Sequence, residues 1–471
     1  MNFKNIKMFL WAVCCMIYVS ADAQIQLPAV FTDGMVLQQK SKVALWGWGS
    51  PADRLDIVPG WAEGDTVRVT VDSQGRWKTE LYTAAAGGPY AIEITGSNDR
   101  YLIKDVLLGE VWLCSGQSNM EWSADMGILD GEKEIASAAC DMLRILHIPK
   151  QGADFRQNDC RAEWKVSSPE SMRNTSATAY FFGRYLTEKL GVPVGIIVSA
   201  WGGTPAEVWT PAEIVSADSV LSAAADKLEP YISWPVVPGV LYNQMIAPLA
   251  PYTIAGCIWY QGESNHETAS SYSRLMTRMV SAWRSIFRQN FPFLYVQIAP
   301  HTYNSKANTP ALLREQQQMM LNEVDSSYMI NISDLVTDVR DIHPRNKRAI
   351  GERLADMAMH RVYGHKVRPY ESPHLTSAEL RESNIVLTFC GDFIRLYSTQ
   401  KTVAGLMIAG ADGKQKPARA RVKGKQLTVS VKGLQAPYQV FYCFDDATIG
   451  SLRTESGLPV LPFRTEKIFV K

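Results

Sequence analysis

"DVLLGEVWLCSGQSNMEW", Asp105–Trp122, joins a long apolar run to a small polar cluster. An extended segment that is apolar at nearly every position suits a strand buried on both faces. Gly116 then frees the chain to turn, and the residues after it read as the start of a helix. Such a strand either simply stops, or it aims one hydroxyl, of Ser115 or Ser118, at a substrate. Ser115 still lies in the extended run, before Gly116 can turn the chain. Ser118 lies at the strand-to-helix turn, where its own N–H faces outward at a helix N-terminus and the helix dipole favours negative charge. Ser118 is therefore the preferred nucleophile.

The surrounding texture fixes the fold class. From residue 104 to 368, apolar strands ("VGIIVSAW", "IAGCIWYQ", "FPFLYVQIAP", "SYMINISD") alternate with helical patterns ("SATAYFFGRYLTEKL", "YSRLMTRMVSAWRSIF", "LREQQQMMLNEV", "KRAIGERLADMAMHRV"). Apolar strands joined by helices predict an α/β domain, a parallel sheet covered on both faces. Residues 24–103 show short alternating runs such as "TVRVTVDSQGRWKTELY" between Gly, Pro, Asp and Asn, which predicts a β-sandwich. Alternating strands return over 369–471 ("NIVLTFCG", "QLTVSVKG", "YQVFYCF"), predicting a small C-terminal β domain.

Residues 1–23 run from basic "MNFKNIK" through apolar "MFLWAVCCMIYVS" to "ADA". That order predicts a cleavable signal peptide, cut near Ala23-Gln24, and a secreted or periplasmic protein. Its apolar run is too short to span a bilayer. A lipoprotein signal on Cys14 or Cys15 is the competing reading, poorly supported by Trp11 and Val13. Lys+Arg 48 against Asp+Glu 47 leaves no basic excess for nucleic acid or an anionic membrane. Two of the eight cysteines fall in the leader, and the remaining six lack CxxC spacing. Cys114 and Cys257 read as buried thiols, and Cys140–Cys160 is one conceivable disulfide.

In open parallel sheets, ligands sit beyond the carboxyl ends of the strands. Those ends carry Ser115–Asn119, Gly202-Gly203-Thr204, Gln261–Asn265 and "DLVTDVRDIHP", the last with Asp334, Asp338, Asp341 and His343. Small, polar and titratable groups at four strand ends point to acyl transfer. A serine hydroxyl needs an imidazole to take its proton, and the imidazole needs a carboxylate to fix its tautomer. The oxyanion needs preorganised donors. Ser118 N–H, a backbone N–H of Gly202 or Gly203, and the side chain of Gln261 or Asn265 are the candidates.

Each residue also has an ordinary reading. Ser118 and His343 could be helix caps, Gly202-Gly203 a plain turn and Glu263 a helix-start carboxylate. Trp201, Trp259 and Tyr260 read as core or pocket wall, and Arg314 as an exposed helix arginine. His301 in "QIAPHTY" is the only rival to His343. Other chemistries lack their motifs. "HETAS" is not HExxH, no P-loop or GxGxxG is present, and "GQSNM" is not GxSxG. No metal and no cofactor are expected.

Longer motifs carry a resemblance. "GQSNMEW", "VSAWGGTPAEVW", "LYNQMIAPLAPYTIAGCIWYQGESN" and "DIHPRNKRAIGERLA" resemble the sialate O-acetylesterase family, carbohydrate esterases of the SGNH-hydrolase superfamily. "LPAVFTDGMVLQQ" and "GLPVLPFRTE" resemble the same family's terminal domains, so the likeness spans nearly the whole mature chain. It implies an SGNH-type α/β/α sandwich with flanking β domains, Ser118 as nucleophile and His343 as base. It also implies that a glycine of Gly202-Gly203 and the Gln261–Glu263 stretch line the oxyanion side. The family places its acid three residues before the histidine, where this chain has Arg340. Asp341 is the assigned acid, with Asp338 and Glu263 the alternatives, Glu263 also as an orienter of His343. The implied substrate is an O-acetylated carbohydrate, O-acetylated sialic acid first and acetylated xylan or pectin second. A non-catalytic glycan-binding protein on an idle hydrolase fold is the contrasting expectation.

Overall fold

The computed structural model describes residues 24–470 apart from Glu63 and Lys306, so the expected leader lies outside the described residues. Its centre is a mostly parallel sheet. The strands are β1 (Arg100–Gly116), β2 (Cys140–His147), β3 (Trp164–Ser167), β4 (Val194–Ala200), β5 (Gly256–Tyr260), β6 (Phe293–Val296) and β7 (Ser327–Ile330). They lie in the order β7-β6-β5-β1-β4-β2-β3. All neighbours are parallel except β2 and β3. That antiparallel edge leaves no periodic pattern in the residues, because Trp164–Ser167 buries only its two end residues.

Adjacent residues on each strand feed opposite cores. Val111, Leu113, Cys257, Trp259, Phe293 and Tyr295 join one cluster. Trp112, Cys114, Ile258, Tyr260, Leu294 and Val296 join the other. Helices α1 (Ser118–Glu121), α2 (Ala177–Leu190), α3 (Tyr272–Phe287), α4 (Thr309–Glu323) and α5 (Lys347–Arg361) follow the expected helical patterns. Apolar residues of α3 and α4 pack into the first cluster, and those of α2 and α5 into the second. The sheet is thus covered on both faces, and burial on both sides is what its continuous apolar strands require.

The N-terminal region is less separate than its sequence suggests. Lys42–Trp48 pairs with Arg76–Tyr82, and Arg54–Pro59 pairs with Val67–Thr70 and Gly87–Thr95. Gly87–Thr95 then pairs antiparallel with the first half of β1, while Val36–Gln38 pairs with β1 in parallel. One strand therefore serves both regions and runs unbroken across residues 103 and 104. Beyond α5, small antiparallel sheets such as His374–Arg381 with Asn384–Cys390, and Leu406–Ala409 with Gln439–Tyr442, enclose their own core. Cys114 and Cys257 are buried thiols, and Cys140 and Cys160 are both free rather than paired.

β1 lies at the middle of the sheet, flanked by β4 and β5. Their last residues are level, with Gly116 opposite both Ala200 and Tyr260. Three carboxyl-terminal loops consequently open side by side, the arrangement in which open α/β sheets hold ligands.

Candidate active site

Gly116 makes the turn after β1 possible. Its φ is +144°, and a Cβ there would lie 2.2 Å from the Tyr260 carbonyl oxygen. Any other residue collides with the neighbouring strand. The Gln117 N–H donates to the Tyr260 carbonyl at 3.0 Å, and the Trp201 N–H donates to the Gly116 carbonyl at 3.1 Å. The Gln117 side-chain oxygen accepts from the N–H groups of Gly262 (3.2 Å) and Ser264 (3.3 Å). One short turn thus ties the loops after β4 and β5 to itself. Ser118 begins α1, where the first N–H groups of a helix have no intrahelical acceptor. Ser115, by contrast, is fully buried.

His343, on the loop after β7, places Nε2 3.0 Å from Ser118 Oγ. Its ring stacks on Trp122, with centroids 3.8 Å apart and planes 22° apart, which limits its rotation. Burial, and then the charge of Lys347, lowers the His343 pKa to about 4, against an opposing pull from Asp341. The imidazole is therefore neutral at pH 7 and able to accept a proton.

The carboxylates separate clearly. Asp341 Oδ1 lies 3.9 Å from His343 Nδ1 and accepts the His343 backbone N–H at 2.9 Å. Its other oxygen accepts from Arg345 Nε at 3.1 Å. Burial alone would raise the Asp341 pKa, but these donors hold it below the ordinary value. Asp338, an alternative acid, instead turns to the surface and takes a forked pair of bonds from Arg340 at 3.0 and 2.9 Å. Glu263 is buried and accepts from Asn119 Nδ2 at 2.7 Å. The same Asn119 amide donates to the Ile342 carbonyl, immediately before His343, at 3.0 Å. Glu263 thus reaches the histidine loop through Asn119, not through the imidazole.

Three of the expected oxyanion donors are already engaged. Gln261 is fully buried, and its amide donates to the Thr204 carbonyl and to Asn265 Oδ1, so it belongs to the scaffold. Asn265 is spent likewise, on Glu207 and Thr268. The Gly202 N–H donates to the Glu121 carboxylate at 2.5 Å, and Glu121 is in turn paired with Lys150 at 2.7 Å. Gly202 still packs tightly on the serine: a Cβ there would lie 3.2 Å from Ser118 Cβ.

Glu121, Asn119, Trp122 and Lys347 were given no role from sequence. The first three lie inside "GQSNMEW", where their contacts depend on three distant loops. Lys347 carried a readable signal, since it shares helical spacing with Ile350 and Leu354 on the buried face of α5. It is fully buried, donates to Asn119 Oδ1 at 2.6 Å, and stands 5.3 Å from the Tyr260 ring centroid. Burial lowers its pKa to about 7, against the opposing charges of Glu263 and Asp341. Other expectations need correcting. Arg314 is buried and donates to backbone carbonyls of Cys443, Asp445 and Asp446, which docks the C-terminal region. Trp259 and Tyr260 are fully buried, in keeping with the core reading, which leaves Trp201 as the half-buried one of the three. His301 contacts Tyr303 edge-on.

A hydroxyl, a neutral imidazole and a carboxylate gathered at the carboxyl-terminal edge of one sheet define the class, a carboxylic ester hydrolase on a mixed α/β fold. The family model described as carbohydrate esterase, sialic acid-specific acetylesterase, matches residues 108–360, and the chain belongs to that family. It is 28% identical over 397 residues to the sialate O-acetylesterase of Homo sapiens, covering 77% of this chain and 75% of that one. The Pongo abelii sialate O-acetylesterase is 29% identical over 399 residues, covering 77% and 75%. A carbohydrate acetylesterase from Xanthomonas citri, known as a crystal structure, is 34% identical with a TM-score of 0.85, covering 94% of this chain and 99% of that one.

Proposed function

We propose that the protein is an exported serine esterase that removes O-acetyl groups from carbohydrates, with Ser118 as nucleophile, His343 as general base and Asp341 as the supporting acid. The fold is read as an SGNH-type α/β/α sandwich over 104–368, with an N-terminal β-sandwich (24–103) and a C-terminal β domain (369–471). Export rests on the leader-like residues 1–23. The observation that carries the reading is the 3.0 Å approach of His343 Nε2 to Ser118 Oγ at the end of the central strand.

In this mechanism Ser118 Oγ attacks the acetyl carbonyl carbon while its proton passes to His343 Nε2. The oxyanion is held by the N–H groups of Ser118 and Gly203, since Glu121 occupies that of Gly202. His343 then returns the proton to the departing sugar hydroxyl, leaving an acetyl-serine. Water, deprotonated by the same imidazole, attacks that ester and releases acetate. Asp341 stabilises the imidazolium formed in each half.

O-acetylated sialic acid is the substrate favoured by the family and its relatives. Acetylated xylan or pectin is the second reading, and the pairing of Lys150 with Glu121 and Arg345 with Asp341 favours xylan, the uncharged one of the two. Those pairs leave neither cation uncommitted to meet a sialic carboxylate. Acetate release from O-acetyl sialic acid, acetyl-xylan and acetylated pectin separates the two. Loss of all release, and of fluorophosphonate labelling, is expected in Ser118→Ala. Labelling that persisted in that variant would refute the assignment.

A further inference from the structure

Polar contacts around Ser118 give way beyond Gly203 to an apolar loop, residues 229–238, "EPYISWPVVP". Tyr231 and Trp234 form a β-bridge across it, and their rings stack 3.9 Å apart at 23°. Ile232 at the tip is 99% exposed, and Tyr231 is 55% exposed. Pro230, Pro235 and Pro238 fix their own φ angles and so stiffen the loop.

The loop is anchored on the site itself. Trp201 Nε1 donates to the Ser233 carbonyl at 3.1 Å. The Trp234 ring fills the space beside Gly203, 2.2 Å from where a Cβ would stand. Gly202, the preceding residue, packs on Ser118. An aromatic pair and an exposed isoleucine are therefore held by two separate contacts against the loop after β4, the loop that packs on Ser118.

Leaving such side chains in water forgoes apolar burial, and exposed apolar patches of this kind mark ligand grooves and interaction sites. A pyranose ring offers a flat face of C–H groups that packs on an aromatic plane, and Tyr and Trp lose few rotamers in receiving it. Resting on the carbohydrate-esterase reading, we infer that Tyr231, Ile232 and Trp234 form a stacking subsite for a sugar ring of the carbohydrate that carries the ester. The enzyme then recognises the glycan as well as the acetyl group.

The test compares kcat/KM for whichever of O-acetyl sialic acid and acetylated xylo-oligosaccharide the wild type cleaves faster, and for p-nitrophenyl acetate, in the wild type, Tyr231→Ala and Trp234→Ala, with folding checked by circular dichroism. The ratio of the two constants is expected to fall about tenfold in Tyr231→Ala, mainly through KM, as loss of one aromatic contact implies. A ratio unchanged in both variants would overturn the subsite. A wild type that cleaves p-nitrophenyl acetate but no acetylated carbohydrate would overturn the carbohydrate reading instead. The subsite is then judged alone, by calorimetric titration of sialic acid and of unacetylated xylo-oligosaccharide into Ser118→Ala with and without Tyr231→Ala. Equal binding, or none to either, would reject it.

Discussion

Replacing Asp341 with Asn tests the weakest geometric link in the site. Asp341 Oδ1 stands 3.9 Å from His343 Nδ1, beyond a direct hydrogen bond. Its contribution is therefore mainly Coulombic, exerted when the imidazole becomes charged. At that distance, with an effective dielectric constant of ~20, the attraction is about 4 kcal/mol. Arg345, bonded to the other oxygen at 3.1 Å, and partial exposure of the carboxylate both reduce it. A net loss of about 3 kcal/mol corresponds to a fall in kcat of roughly two decades. Asparagine keeps an oxygen to accept the His343 backbone N–H, so the loop should hold while the charge is lost. The assay is kcat on p-nitrophenyl acetate at pH 7, together with the acid limb of kcat/KM. Loss of the negative charge makes the imidazolium harder to form, so that limb should also move to lower pH. A kcat within roughly threefold of wild type, less than 1 kcal/mol of barrier, would refute the assignment.

Because the His343 pKa is lowered to about 4 from 6.5, kcat/KM should reach half its plateau near pH 4; a midpoint near 6.5 would contradict the buried, neutral imidazole. The unfolded chain binds this proton at higher pH than the native one, so stability should fall as pH drops from 6.5 to 4, by about 3 kcal/mol in all. Urea midpoints across that range should show the slope in wild type and a shallower one in His343→Gln, since burial also lowers the pKa values of His147, His266 and His301. Asn119→Ala strips Lys347 Nζ and Glu263 Oε1 of a buried partner and should cost about 3 kcal/mol or more, read as a lower denaturation midpoint. Gly116→Ala forces a Cβ to 2.2 Å from the Tyr260 carbonyl and should destabilise by several kcal/mol, read the same way. Glu121→Ala removes the acceptor that pins the Gly202 loop where it packs on Ser118 and should lower kcat about tenfold, while Glu121→Gln, which keeps an acceptor, should stay near wild type.

What the sequence disclosed followed from local rules. Continuous apolar runs marked the inner strands, helical spacing marked α2 to α5, and Gly116 identified which serine could leave the sheet. Pairing was harder to read. The antiparallel edge strand buries too few residues to leave a periodic signal, and β1 passes between two regions as one continuous strand that Asp105, at φ +55°, does not end. Donor groups were harder still, because a side chain's availability depends on what else has claimed it. Gln261 and Gly202 sit where an oxyanion donor is needed, yet the first is bound to Thr204 and Asn265 and the second to Glu121.

The buried group beneath the serine shows why those claims matter for catalysis. Asn119 follows Ser118 in the chain, and its one side chain meets Lys347 from α5, Glu263 from the loop after β5, and the carbonyl before His343. Nucleophile and base come from opposite ends of the domain's sequence, so their separation depends on how firmly those loops are tied. An amide that donates to both loops while accepting from a buried ammonium ties all three elements with a single residue. The ammonium costs burial and lowers the His343 pKa, yet it holds the acceptor side of that amide. Stability is given up at Lys347, and what the site gains is a serine and a histidine held 3.0 Å apart before any substrate arrives.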